Sequence, residues 1–284
     1  MNGVLIVDKP KDYTSRDVVN IVSKVVGTKK VGHTGTLDPI ATGILIICIG
    51  SATKLVELLT SKEKEYIAEI TLGIETDTLD ITGNILKEEK VNVSVDEIDK
   101  TLKNMIGFYD QEVPIYSAVK INGRKLYEYA RNNEEVILPK RKVEIKELER
   151  ISDVIYKDNK VIFSIKTTVS KGTYIRSLIK DISLKLNTIG VMSELRRTKQ
   201  GIFDLNSSNT IDDIKNNNIK LLTIEEALKD IYTVEVSDEL AFKIKNGVKI
   251  KDYYNKDLVL FKNNNNIIAL YQKDGDILKV YKIL

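Results

Sequence analysis

Between Thr14 and Gly27, in "TSRDVVNIVSKVVG", the apolar side chains Val18, Ile21, Val22 and Val25 recur three or four positions apart. An α-helix completes a turn in about 3.6 residues, so this spacing predicts a helix with one apolar face. Thr14 or Ser15 can cap its start and Gly27 can stop it. A capping box from Ser94 to Glu97 predicts a second helix, which turns Ile98, Leu102 and Met105 inward and ends at Gly107. In "YIRSLIKDISLKL", Ile175, Leu178, Ile179, Ile182 and Leu186 predict a third helix with Arg176 in its first turn.

Elsewhere the period drops to two. Tyr66, Ala68, Ile70 and Leu72 share one face of "YIAEITLG", and "VIFSIKTTVS" reads the same way, so both are expected as strands. Ile44 to Ile49 is apolar on both faces and therefore reads as a central strand. Helices and strands do not follow a regular βαβ repeat. The expectation is an α+β fold with a central mixed, largely antiparallel sheet flanked by helices. After a capping box at Thr223 to Glu226, the pattern changes to a short helix ending near Gly247 and short strands broken by "NNNN" and "KDGD". Two domains are expected, residues 1–231 and a small β-rich unit at residues 232–284.

At 284 residues, 30% charged and 42% hydrophobic, the chain can bury a large core and does not have a disordered composition. Its longest apolar run, Ile44 to Ile49, falls far short of the ~20 residues of a membrane helix. The start "MNGVLIVDKPKD" lacks the basic head of a secretory signal, so a cytoplasmic protein with no membrane association is expected. Cys48 is the sole cysteine, which rules out an intrachain disulfide, and its apolar setting reads as a buried inert thiol. His33 is the sole histidine, which removes every multi-histidine metal site.

A net charge of +3 does not announce a nucleic-acid binder, so any such surface must be local. Between Lys120 and Lys142, seven cations face three acids, with Tyr116, Tyr127 and Tyr129 interleaved nearby. "LRRTK", Leu195 to Lys199, adds another basic cluster. Each alone reads as a solvated face; together they fit a surface that tracks phosphates.

The candidate chemistry centres on "GHTGTLDPIATGIL", where Asp38 precedes a proline among small residues. One reading is a turn-forming aspartate that bonds local amides. The other is a reactive group. Gly32, Gly35 and Gly43 allow close backbone approach to a ligand, and the following strand can hold the loop rigid. A carboxylate there can act as nucleophile or base if an arginine keeps it ionised. Arg176 is the candidate arginine, and Tyr66 begins an apolar strand face with a hydroxyl that needs a partner. "GTKKVGHT" has the spacing of a phosphate-binding loop, but His33 stands where the gripping lysine belongs, which argues against nucleotide hydrolysis.

Five segments, "DKPKDYTS", "GHTGTLDPIATGIL", "PIYSAVKINGRKLYEYAR", "KGTYIRSL" and "LRRTKQG", occur in the order found in the TruB family, and from about Val4 to Gly201 the chain resembles it. The resemblance implies a pseudouridine synthase fold followed by a small PUA-like RNA-binding domain. It implies an isomerase that flips out and converts uridine 55 in the T-loop of tRNA, needing no cofactor, and working as a monomer without an obligate protein partner. Position by position, Asp38 resembles the catalytic nucleophile, Arg176 its ion-pair partner, and Tyr66 the ring that stacks on the target base and handles a proton. Tyr174 and Leu195 match positions lining the uridine pocket. His33 matches the residue inserted into the T-loop, Lys9 and Pro10 a support for the active-site loop, and Asp80 a position near the RNA. Val113 departs from the family, which has a proline there. A non-catalytic RNA-folding module acting on the same tRNA elbow is the alternative, and the joint presence of Asp38, Tyr66 and Arg176 argues against it.

Overall fold

A computed structural model describes the whole chain, Met1–Leu284. Its main sheet has eleven strands. The principal path runs Leu221–Leu222, Gly3–Lys9, Thr42–Ile49, Gly190–Gln200, Lys64–Leu72, Lys160–Val169, Lys140–Arg150, Gly107–Glu112. Neighbours along it pair antiparallel except at one seam, where Arg196 and Arg197 run parallel to Thr42 and Gly43. The expected mixed, largely antiparallel sheet is what the chain forms.

The two-sided apolar strand has a simple cause. Along Thr42–Ile49, Leu45, Ile47 and Ile49 face one core cluster while Ile44, Ile46 and Cys48 face another, so neither face meets water. The first cluster is roofed by the helices Ser15–Val26, Val95–Asn104 and Ile175–Lys185, through Val18, Val22, Ile98, Leu102, Leu178 and Ile182. Lys160–Val169 alternates strictly between buried and half-buried residues, as one covered face requires.

Thr14, not Ser15, caps the first helix, in a reciprocal box with Asp17, and Gly27 closes it at φ 68°. Ser15 is used elsewhere. Its buried hydroxyl donates to Leu37 O (3.2 Å) and accepts from Leu37 N (2.9 Å), pinning the residue before Asp38. The second helix ends at Asn104 with Met105 as its cap; Gly107 instead opens a strand. Val113, where a proline was the family pattern, donates its N–H to Pro139 O at 2.9 Å, a bond that proline could not make.

A second, five-stranded sheet orders Tyr232–Glu235, Leu258–Asn263, Asn266–Asp274, Ile277–Ile283 and Ile250–Lys251. The helix Asp238–Lys245 packs on it through Ala241 and Ile244. The two sheets do not pair, yet they share a core: Leu260 and Leu270 pack into the cluster that holds Val4, Ile6, Ile44 and Ile46. No helix is long and apolar enough to cross a membrane.

Candidate active site

Asp38 sits on the loop between Val31–His33 and Thr42–Ile49. Its backbone carbonyl accepts from Ala41 N at 3.0 Å, which makes the turn, while its carboxylate is left for Arg176. Arg176 Nε lies 3.0 Å from Asp38 Oδ2, and Nη2 lies 3.4 Å from Oδ1. The arginine also donates to Thr78 O (2.8 Å) and Tyr116 O (3.0 Å), so every limb of its planar fork is fixed. Its side chain is 7% exposed against 36% for Asp38. A buried cation thus presents a half-open carboxylate, the arrangement a nucleophile needs.

The helix that carries Arg176 starts without a side-chain cap. Gln111 takes that part from the neighbouring strand, accepting from Tyr174 N (2.8 Å) and donating to Tyr174 O (3.1 Å). Lys9, fully buried, gathers the carbonyls of Pro10 (2.9 Å), Tyr13 (2.7 Å) and Pro39 (3.3 Å) beneath the Asp38 loop. Burial outweighs the nearby Asp38 charge and brings the pKa of the Lys9 ammonium down to about 8.

A cavity of about 340 Å³ opens at this point. Asp38, Tyr66, Tyr174, Arg176 and Leu195 all line it, so five of the residues expected at the site converge. Lys9 and Pro10 lie behind the loop rather than in the wall. His33 is half-buried at the end of its strand, outside the wall, with Nδ1 accepting from Gly35 N at 3.3 Å. Burial, aided by Arg16, pushes its pKa below the ordinary histidine value. Asp80 is buried and spent locally, accepting from Thr78 Oγ1 (2.9 Å), Thr82 Oγ1 (2.6 Å) and Thr82 N (3.0 Å). It shapes the turn whose Thr78 carbonyl grips Arg176.

Tyr116 and Tyr127, from the basic segment, also enter the wall, and cations lie over the nearby rings: Arg131 is 5.1 Å from Tyr127 and Arg124 4.3 Å from Tyr129. The second basic cluster is split between core and surface, with Lys199 exposed. Arg197 is 2% exposed and lines the cavity, whereas Arg196 turns away to pair with Asp8 at 2.7 Å. Strand alternation carried the signal: if Leu195 faces the site, so must Arg197. Gln111 and the buried Lys64 left no comparable trace in the sequence.

The N-terminal domain model of the TruB family pseudouridylate synthases matches residues 23–175, and the C-terminal domain model of tRNA pseudouridylate synthase B matches residues 176–232. A tRNA pseudouridine synthase B of Bacillus pumilus is 42% identical over 302 positions, covering 100% of this chain and 98% of that protein. Another, of Staphylococcus saprophyticus, is 44% identical over 287 positions, covering 95% of this chain and 94% of that protein. Among solved structures, one described as a Cbf5–Nop10–Gar1 complex aligns with a TM-score of 0.71 at 25% identity, over 99% of this chain and 84% of that one. With the domain matches spanning residues 23–232, relatives above 40% identity along nearly the full length, and the Asp38–Arg176 pair at the mouth of the cavity, the chain belongs to the TruB family of pseudouridylate synthases.

Proposed function

We propose that this protein converts uridine 55 in the T-loop of tRNA to pseudouridine, with Asp38 as the nucleophile. The observation that carries the reading is the Asp38–Arg176 pair, 3.0 Å apart, at a cavity walled by Tyr66, Tyr174 and Leu195. The reaction breaks the N1–C1′ bond of the nucleotide and forms C5–C1′; C5 loses a proton and N1 gains one, so nothing is oxidised or reduced. Asp38 adds to the nucleotide at C1′ of the ribose or C6 of the base, and Arg176 holds its carboxylate in line.

A base inside a folded T-loop must leave its stack to be reached. Tyr66 and Leu195 offer the flat and apolar surfaces that receive it, and Tyr66 takes up the C5 proton as its own hydroxyl proton passes to solvent. Tyr127, with Arg131 over its ring, lines the cavity, and the basic segment that carries it suits a phosphate-bearing partner. His33 and Asp80 lie outside the cavity wall; the half-buried His33 is the one left to meet the T-arm, while the buried Asp80 serves the site through the Thr78 turn. The protein acts as a monomer in the cytoplasm, on the tRNA T-arm.

The test is pseudouridine formation in an unmodified T-arm transcript. The parent protein is expected to form it and Asp38→Asn to form none, with RNA affinity within about tenfold of the parent. Residual turnover in the variant would remove Asp38 from its assigned role.

A further inference from the structure

Arg197 is a buried cation whose four acceptors are all uncharged. Nε donates to the Tyr66 hydroxyl (3.2 Å), Nη1 to Ile44 O (3.1 Å) and Gln200 Oε1 (3.3 Å), and Nη2 to Thr36 O (3.1 Å). A charge removed from water without a counter-ion is costly, and an apolar side chain of similar volume would stabilise the fold at least as well. Such a group is retained for what it orients. Thr36 and Ile44 bracket Asp38 in the chain, so one guanidinium grips both arms of the nucleophile loop and, at the same time, the oxygen of the facing tyrosine.

The surroundings leave that grip little freedom. Arg197 sits at the parallel seam opposite Gly43, where an added Cβ would come within 2.2 Å of Arg197 O. Across the other side of the strand it pairs in register with Tyr66, and its guanidinium carbon is 5.5 Å from the centre of that ring. Arg176 and Arg197 therefore divide the work: the first aims the carboxylate, the second ties the loop backbone to the ring. We propose that Arg197 is a positioning residue for isomerisation, holding the Tyr66 hydroxyl at a set distance from the Asp38 loop. The proposal rests on the isomerase reading above and adds to it the residue that couples its two chemical groups.

Arg197→Lys keeps the charge but loses the fork that reaches all its anchors at once. Single-turnover rate, filter-binding affinity and the effect of deuterium at C5 of the target uridine are measured on a T-arm stem-loop. With the tyrosine oxygen misplaced, removal of the C5 proton becomes slower than the other steps. The rate is expected to fall at least about tenfold with affinity within about twofold, and the deuterium effect to exceed the parent's. A general loss of structure would instead lower rate and affinity together and leave the deuterium effect as it was. Should Arg197→Lys fail to fold, Gln200→Met, which keeps the guanidinium but removes its Gln200 anchor along with the Gln200 bonds to Thr34 and Leu59, is read in the same three ways. An active parent with an unchanged deuterium effect in the folded variant overturns this proposal alone. A parent that forms no pseudouridine overturns the isomerase reading and this proposal with it.

Discussion

Arg176 shows why charge by itself does not make a site. Its contacts to Asp38, Thr78 O and Tyr116 O depend on the directions of separate N–H groups, which a lysine cannot reproduce. Arg176→Lys is expected to lower single-turnover isomerisation at least about tenfold, roughly 1.4 kcal/mol on the barrier, with RNA affinity little changed. A variant matching the parent in both would detach Arg176 from Asp38's chemistry. Lys64 offers a test of a different kind. Its buried ammonium donates to Thr60 O and Lys62 O, each 2.9 Å away, and burial, with help from Arg197 and Lys171, lowers its pKa to about 8. Unfolded, it titrates near the ordinary lysine value of 10.5. Between about 8 and 10.5 the unfolded chain holds a proton that the folded chain has released, so this residue's contribution to stability rises with pH. Urea unfolding of the parent and of Lys64→Met at about pH 7.5 and about pH 9.5 should show the parent gaining about 2 kcal/mol on the variant over that interval. A constant difference would mean that Lys64 is not desolvated.

The strand Thr42–Ile49 and the strand Gly190–Gln200 meet only at their parallel seam, and that meeting depends on one residue without a side chain. Gly43 has φ 98°, and an added Cβ would lie 2.2 Å from Arg197 O and 2.8 Å from Arg197 N. Gly43→Ala is therefore expected to cost at least about 2 kcal/mol in stability and to remove turnover, because the strand that it displaces is the one that carries Arg197. Gly27 provides the contrast. Its φ of 68° is also left-handed, but nothing lies within 4 Å of an added Cβ, so Gly27→Ala should cost only about 1 kcal/mol and leave turnover intact. Equal losses for the two in thermal unfolding and activity would refute the steric account.

The two sheets of the molecule are separate as hydrogen-bonded units and joined as a packed one. Leu260 and Leu270 join the cluster that holds Val4, Ile6, Ile44 and Ile46, on the face of the main sheet opposite Ser15–Val26, Val95–Asn104 and Ile175–Lys185, together with Leu55, Leu58, Leu59 and Ala227 from short helices. Lys62 with Asp230 (2.6 Å) and Lys262 with Glu225 (2.8 Å) add polar ties around the same junction. Ending the chain at Asp230 removes Leu260 and Leu270 and leaves that cluster partly uncovered. With buried leucine contacts worth about 2–5 kcal/mol each, the truncated protein is expected to melt at least about 5 °C below the parent and to bind a hydrophobic dye. A parent-like melting temperature would make the main sheet self-sufficient. The expectation of two units divided near residue 232 thus meets a fold in which the second sheet begins at Tyr232 but completes the core of the first.

What could be read from sequence was whatever depends on neighbours in the chain. The period of Val18, Ile21, Val22 and Val25, the boxes at Ser94 and Thr223, and the two-faced run Ile44 to Ile49 each record local geometry and the sidedness of burial. Asp38, Tyr174, Arg176 and Leu195 were recognisable because they lie in ordered, distinctive segments, and Tyr66 because it opens an alternating apolar strand; the fold brings all five to one cavity. Alternation sets Arg196 and Arg197 on opposite faces, and tertiary structure decided which of those faces meets water. Arg196 and Arg197 are adjacent and chemically identical, yet one pairs with Asp8 at the surface and the other is buried against Tyr66. The reason is physical: a strand turns successive side chains to opposite faces, and which face is covered depends on strands more than a hundred residues away in the chain. Gln111 gripping Tyr174, Ser15 pinning Leu37 and Leu260 joining the cluster that holds Ile44 belong to the same class, contacts made by sheet order and closure that no local pattern encodes.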